Sequence, residues 1–489
     1  MNHIKDKHKI NKVFIDIHTN SLESSTSIKN DILYVLKEKS FPQFEEILDD
    51  YNQTGSVKRF HSITLLINIP RFDYLNILED ELKNKFKIEI VNAISDLRSG
   101  IKKDEFDKVS GNNIPIEKNR EEIFLYFLEN GFLPWYGTEK DILELLGLND
   151  WEKSIEKPEF ISFILKLLQK EATIVNRFIY QIYDLQKVLF LKNANPVVTE
   201  HEKVILRILE NSPLNIRYIL FRLLISSSIN TDSYINVESI TLLLDMVISL
   251  TKKGKLTEAE NKQFAVFINN LYQVSVRTKT DNISTENKVV NIDRLPIPEK
   301  LDYDELSVYS EIESGMYTFN VLDKEEILIQ NAGLIILHPF LKTFFGELGM
   351  LDKNERIRVT DMSTAIQALH FLATGKANFF EGNLILEKYI CGAPLKVTVE
   401  RECLLSEKIK DEAINMLREV IRQWPELKNS SVDDLRELFI QRNGKLIQKG
   451  SKYKIIVERK VQDLLLDKLS WNISAVNFPW RKDVLFVDW

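Results

Sequence analysis

Two cysteines and seven histidines are the residues of this chain with the widest chemical reach. A thiolate activated by an imidazole is a covalent nucleophile, and Cys391 or Cys403 would form one if the fold brought it to His338 or His370. The plainer reading makes Cys391, between Ile390 and Gly392, a small buried hydrophobe, and gives His338, ahead of Pro339, a local hydrogen bond. No two histidines lie three or four residues apart, so no helix offers two imidazoles to one metal. No two glycines lie two apart or five apart, which removes the dinucleotide fingerprint and the P-loop. A G-x-S-x-G elbow is also missing. Adjacent acids such as Asp49 with Asp50 and Asp433 with Asp434 fit helix-end charge better than acid/base chemistry. The sequence therefore predicts no catalytic, cofactor-binding or metal site, and no disulfide framework.

Charge and hydropathy narrow the class further. Of 489 residues, 65 are Lys or Arg and 72 are Asp or Glu, a net charge of −7 that offers nothing to a phosphate backbone, so no nucleic acid partner is expected. The longest stretch without a charge, from Ile327 to Leu341, is 15 residues long and holds Gln330, Asn331, His338 and Pro339. It is too short and too polar to span a bilayer, and no membrane insertion is expected. The N-terminus, with Lys5, Asp6, Lys7 and Lys9, lacks the apolar core of a secretory signal, which predicts a cytoplasmic product.

The elements read as a mainly α chain with small α+β modules. Two-residue alternation at Val13, Ile15 and Ile17, and again at Ile63, Leu65, Ile67 and Ile69, predicts two strands. Helical spacing from Ile28 to Tyr51 and from Asp73 to Arg98 interleaves with them, giving a β-α-β-α module over 1–112. A polar break at Gly111 to Pro115 leads into a helical middle, 116–276, whose stripes, such as Ile161, Leu165, Leu168, Ala172, Val175, Ile179 and Ile182, need covering by neighbouring helices. Pro196 and Pro213 punctuate it. A polar linker follows over 277–325, and 326–489 mixes helices with short strands. There Ser406 caps a helix stopped by Pro425, Ser431 with Asp434 forms a capping box, Gly444 closes the helix after it, and Tyr453 to Val457 is a strand.

Specific words in the chain carry more. Phe127-Leu128-Glu129-Asn130-Gly131-Phe132-Leu133-Pro134-Trp135-Tyr136 resembles the FL-x-x-G-x-LPW signature of the tape measure protein family of bacterial contractile injection systems. Asn331-Ala332-Gly333-Leu334 followed by Leu337-His338-Pro339-Phe340-Leu341 is similar to its N-A-G-L…HPFL opening. Leu372-Ala373-Thr374-Gly375 matches LATG, and the stretch ending in Cys391-Gly392 resembles L-x-L-x-K-x-x-CG. The tail adds Trp424, Leu435-Arg436, Gln441-Arg442, Val457-Glu458-Arg459, Leu469-Ser470-Trp471, Phe478-Pro479-Trp480 and Leu485-Phe486-Val487-Asp488-Trp489 in the family's order. Three departures stand out: Tyr136 replaces a second Trp, Leu469-Ser470-Trp471 replaces an LPW, and the strand at Ile63 to Ile69 lacks the family's acidic residues.

The resemblance implies a non-catalytic assembly protein without a cofactor. A tape measure lies in the lumen of the growing inner tube, joins the baseplate hub or spike at one end, and sets how far tube and sheath polymerise before a terminator or cap protein closes them. It would be made in the bacterial cytoplasm and end inside the particle. Among the motif residues, Pro134 and Trp135 are expected to fix a turn where Leu133 enters the core, and Trp471, Trp480 and Trp489 to lock the C-terminal module. An exposed aromatic surface docking a partner is the other reading of the tryptophans. Arg442, Glu458 and Arg459 form either a partly buried ion-pair network or a solvated face. A fully helical chain of this length would reach roughly 730 Å, while a packed one has a radius of gyration of about 23 Å. The apolar content describes a packed protein, so the C-terminal module is read as an anchor and the helical middle as the part that unpacks. A compact helical adaptor or chaperone for assembly or cargo loading is the competing reading, and an enzyme using Cys391 or His338 a third.

Overall fold

The computed structural model describes residues 8–18, 29, 31–52, 55–68, 74–99, 111–229, 237–277, 326–401, 405–450 and 452–489. Contacts divide the chain into two units, Met1–Glu122 and Ile123–Trp489, and the division falls within a single helix.

In the first unit, a π-helical turn at Leu36–Ser40 runs into α1 (Phe41–Asp49), and α2 (Tyr74–Ser99) packs beside them. Leu78, Leu82, Phe86, Ile90 and Ile94 recur at four-residue spacing, so α2 presents one apolar stripe, and Phe86 stacks on Phe44 with ring centroids 3.8 Å apart. The strands differ from the sequence expectation. Val13 to Ile17 and Ile63 to Ile67 form no ladder with other described residues, while Ile69 and Pro70 lie outside the described residues. Instead β1 (Ser56–Phe60) pairs antiparallel with β2 (Gly111–Pro115), from Ser56↔Pro115 to Phe60↔Gly111. Alternation reports a segment with two faces, not a backbone partner: Ile63, Leu65 and Ile67 lean on the helical core without pairing. Conversely the expected polar break at Gly111–Pro115 is a strand, because a ladder is built from backbone groups that Asn112 and Asn113 possess like any other residue.

The second unit opens with α3 (Ile116–Asn130) as it crosses the division, then α4 (Glu139–Leu145), α5 (Leu148–Ile155), α6 (Pro158–Leu168), α7 (Ala172–Gln181), α8 (Asp184–Ala194), α9 (Pro196–Asn211), α10 (Leu214–Ile229), α11 (Val237–Lys252) and α12 (Glu258–Arg277). Pro158 and Pro196 open their helices, and Pro213 separates α9 from α10. The stripe from Ile161 to Ile182 is split by a turn at Gln169–Glu171 between α6 and α7. Buried in their common core are Trp151, whose indole N–H donates to Gln186 O at 2.9 Å, and Phe178, Phe190, Phe221 and Phe264. Residues 278–325, where the linker was expected, lie outside the described residues.

The same unit continues with β3 (Glu326–Ile329), a 3₁₀ segment Ala332–Leu337, α13 (His338–Glu347), α14 (Met362–Thr374), α15 (Ile385–Cys391), α16 (Glu407–Gln423), α17 (Val432–Leu435), β4 (Gly444–Lys449), β5 (Lys452–Val457), a 3₁₀ segment Val461–Lys468, β6 (Ala475–Asn477) and β7 (Val484–Asp488). The strands form one sheet in the order β3-β4-β5-β7-β6, antiparallel except for β5 with β7. Ile327, Ile329, Leu446, Ile455, Val457, Leu485 and Val476 turn one face to the helices. Ser406 caps α16 through Ile409 N, and Ser431 and Asp434 form the reciprocal capping box of α17. Gly444 does not close a helix: α17 passes into a π turn at Arg436–Ile440, and Gly444 starts β4. A Cβ there would stand 2.8 Å from both Ala332 Cβ and Ile456 O. Among the described residues no helix is long and apolar enough to cross a membrane.

Candidate functional site

The densest polar feature is a buried clasp between α7 and the C-terminal part of the second unit. Arg177 is the only charged residue from Ala172 to Tyr183, and its neighbours Ile174, Phe178 and Ile179 turn the same way into the core. Its Nε donates to Glu381 Oε1 at 3.0 Å, and its two terminal nitrogens donate to Leu128 O at 2.7 Å and Lys396 O at 2.6 Å. Lys388 Nζ donates to the same Glu381 Oε1 at 2.9 Å and to Leu395 O at 3.2 Å. All three side chains have no solvent exposure. Burial pushes the Lys388 amine down and Glu381's charge pulls it back up. A charge in the interior persists only where a counter-charge and hydrogen bonds replace water, and Glu381 supplies both here. Around the clasp, Gln181 Nε2 donates to Val399 O at 2.6 Å, Thr398 Oγ1 to Thr173 O at 3.1 Å, and an exposed Lys396–Glu171 pair closes the rim at 3.3 Å.

The first sequence word serves this clasp. Gly131 follows α3 at φ +79°, and a Cβ there would stand 2.6 Å from Arg177 Nη2, the nitrogen that donates to Lys396 O, so glycine leaves the room the guanidinium occupies. Phe132 enters the C-terminal core, Leu133 packs on the helical core, Pro134 is buried beneath Gly137, and Trp135 is exposed and meets Tyr136 edge-on.

Beside the clasp lies Glu387, wholly buried, accepting from Asn331 Nδ2 at 2.7 Å. Burial pushes its carboxyl up to about 7, against the lowering effects of Asn331, of a backbone hydrogen bond and of Lys388. His370 Nδ1 stands 3.9 Å from the same carboxylate, and burial pushes the imidazole down to about 4. A carboxyl raised to about 7 next to an imidazole lowered to about 4 makes a neutral pair between those pH values rather than an ion pair. Cys391 is buried and its thiol is pushed well up, first by burial and then by Glu387, which is the reverse of what a nucleophile needs. Cys403 lies outside the described residues. His338 does not bond locally: its Nε2 meets Asn472 O at 3.0 Å, 134 residues away. Pro339 sits in the first turn of α13. No metal-binding group of three His, Cys, Asp or Glu occurs among the described residues.

The remaining motif residues pin helix ends. The last carbonyls of a helix have no intrahelical donor, and here distant side chains supply one. Arg436 donates to Leu372 O and Phe371 O at 3.0 and 3.3 Å and Gln441 to Ala373 O at 3.0 Å, closing α14 next to Gly375 at φ +69°. Trp480 Nε1 donates to Ile390 O at 2.6 Å and Arg481 to Tyr389 O at 2.8 Å, closing α15 where Gly392 turns at φ +77°; Pro479 before them is exposed. Trp471 Nε1 donates to Ile336 O at 2.9 Å. Gly333 lies so close to the π turn that a Cβ would stand 1.8 Å from Phe439 O. Trp424 is buried against Phe439, with centroids 4.7 Å apart. Arg442 is buried and donates to Leu438 O at 2.6 Å, Glu458 O at 3.3 Å and Asp463 Oδ1 at 2.6 Å, while Asp463 Oδ2 accepts from Trp489 Nε1 at 3.1 Å. The carboxylate paired with Arg442 is thus Asp463; the Glu458 side chain meets Asn443, and Arg459 makes an exposed pair with Asp488 at 3.4 Å.

Sequence reading missed Arg177, Gln181, Glu381, Glu387 and Lys388. The available signal was a single charge inside an apolar helix, and a Glu-Lys pair inside NLILEKYICG.

These arrangements hold a fold together. No curated protein and no solved structure matches the chain. One family model does, contractile injection system tape measure protein, over residues 7–489 and hence through both units. That family is structural, a component of injection systems that works with their tube and sheath, and this chain, matched along essentially its whole length, belongs to it.

Proposed function

We propose that the chain sets the length of the inner tube and sheath during assembly and catalyses nothing. On this reading it is made in the bacterial cytoplasm, engages a baseplate hub or spike at one end, lies along the inner tube protein, and is met by a terminator or cap protein when growth stops. The observation that carries it is the extent of the family match, which runs through the helical stretch as well as the C-terminal sheet. A ruler converts residues into distance, up to about 1.5 Å per helical residue. In-frame deletions or duplications between Glu121 and Val276, with particle length measured by electron microscopy, test it. Length should change in proportion to the residues removed or added; particles of unchanged length would refute it.

A compact adaptor or chaperone is favoured by a different observation, the Arg177 clasp, which ties the helical stretch to the C-terminal part of the same unit. Such a protein would be absent from finished particles or would leave their length untouched.

A further inference from the structure

One face of the five-stranded sheet is packed; the other carries a pattern of its own. Outward positions alternate apolar and charged residues across the strands, with Leu328 opposite Lys445 and Phe486 opposite Lys454. Leu328 is 50% exposed, Phe486 46%, Val484 40% and Ile456 38%. A large aromatic left half open on an inner strand, among other exposed apolar residues, marks an interaction surface more readily than an isolated exposed leucine does.

The charges say what would cover it. Lys445 is neutralised by Glu326 at 3.0 Å, and Lys454 by Asp488 at 3.2 Å. Lys449 and Lys452 meet no carboxylate among the described residues: they face each other as direct partners across β4 and β5, beside the turn at Gly450. Like charges directly opposite in an antiparallel pair destabilise the sheet. Among the strand residues of this face, four lysines stand against Glu326 and Asp488, an excess of two positive charges on a chain whose net charge is −7. A second copy of the same face would bring a second lysine excess against the first.

We propose that this face, centred on Phe486 and bounded by Lys449 and Lys452, docks a segment of another protein that presents apolar side chains together with carboxylates. Apolar side chains fill the space around Phe486, and carboxylates relieve the Lys449–Lys452 repulsion, so the charge pair selects the partner and the aromatic anchors it. The proposal goes beyond length determination and does not depend on it.

The test places a photoreactive benzoyl-phenylalanine at position 486 of the full chain in cells that assemble particles, with a control at the exposed Phe163 of α6. Cross-linked peptides are sequenced by mass spectrometry. The expected result is a peptide from another protein carrying at least two carboxylates among apolar residues, formed from position 486 and not from 163. With Lys449→Glu and Lys452→Glu together, its yield should fall roughly tenfold, as expected for reversed rim charges, while Lys449→Arg with Lys452→Arg retains it. Thermal melting of each purified variant checks that the sheet is intact. Cross-links confined to a second copy or to this chain's own residues, a partner peptide without carboxylates, or a yield unmoved by charge reversal would each overturn the proposal. Particle length that ignores deletions in the helical stretch, with this cross-link intact, would sink the ruler and leave the docking face standing.

Discussion

Replacing Glu387 with glutamine keeps the shape of the side chain and an oxygen for Asn331 Nδ2, and removes only the ability to ionise. In the folded protein burial raises this carboxyl from 4.5 to about 7. A raised carboxylic acid binds its proton more tightly when folded than when unfolded, so stability falls as pH climbs from 4.5 to about 7. The penalty is absent below that window and complete above it. At 1.36 kcal/mol per unit, the full penalty is about 3 kcal/mol. His370 works in the opposite sense: its imidazole is lowered to about 4, so its contribution is lost as pH falls from 6.5 towards 4. Because His370 is present in both proteins, it cancels in their difference. Glu387→Gln should therefore gain about 2–3 kcal/mol relative to the parent between pH 5 and pH 8. Urea denaturation followed by tryptophan fluorescence measures this cleanly, since all six tryptophans lie in Ile123–Trp489 and report that unit alone. A difference that stays flat with pH, or shrinks towards pH 8, would refute the burial argument.

Further substitutions separate the physical causes. Glu381→Gln leaves Arg177 and Lys388 as two buried cations without a carboxylate and should cost about 3–5 kcal/mol, whereas Arg177→Met leaves a balanced Glu381–Lys388 pair and should cost about 1–3 kcal/mol, both by urea denaturation. The reverse order would mean that packing, not charge balance, governs the clasp. Gly333→Ala drives a methyl group into Phe439 O and should cost about 3 kcal/mol, while Gly392→Ala, whose Cβ would meet Trp480 at an ordinary 3.7 Å, pays only for its positive φ, about 1 kcal/mol. Equal losses in thermal melting would show that the close approach at Gly333 is relieved by small backbone shifts.

Local signals in the chain were readable and non-local ones were not. Ser406, Ser431 with Asp434, Pro425 and the strand at Tyr453–Val457 could be placed because a cap, a stop and an alternation each act within a few residues. The N-terminal strands were misplaced because a ladder needs a backbone partner, and Ser56–Phe60 finds its partner more than fifty residues away in a stretch of glycine and asparagine. The tail's tryptophans were recognised as words, but their work as caps on α15 and on the Ala332–Leu337 turn depends on carbonyls 90 and 135 residues distant. Arg177 and Glu381 stand 204 residues apart, and neither spacing nor composition couples them. Gly131 was singled out within its motif, yet the reason for it is a guanidinium that the motif does not contain.

The proposed ruler and the packed second unit make opposite demands on one seam. To gain reach, the helices after Ile123 must part from residues 380–401, across which Arg177, Gln181 and Thr398 bond to backbone carbonyls, Arg177 pairs with Glu381, and Phe127 meets Phe380 with ring centroids 4.8 Å apart. Hydrogen bonds given up to water cost about 1 kcal/mol each, and the parted Arg177 and Glu381 regain hydration, so opening along this seam costs less than dispersing the aromatic cores on either side. The exposed Glu171–Lys396 pair at its rim reports on the state directly. With Glu171→Cys and Lys396→Cys in a Cys403→Ser background, a short bis-maleimide should link the two positions in the purified chain, where the parent side chains meet at 3.3 Å. If the chain extends along the tube, the same reagent should fail to link them in isolated particles that contain the protein, while labelling each cysteine singly. Equal linkage in free chain and in particles would mean that the protein enters the particle folded as described, which refutes extension through this seam and favours the adaptor.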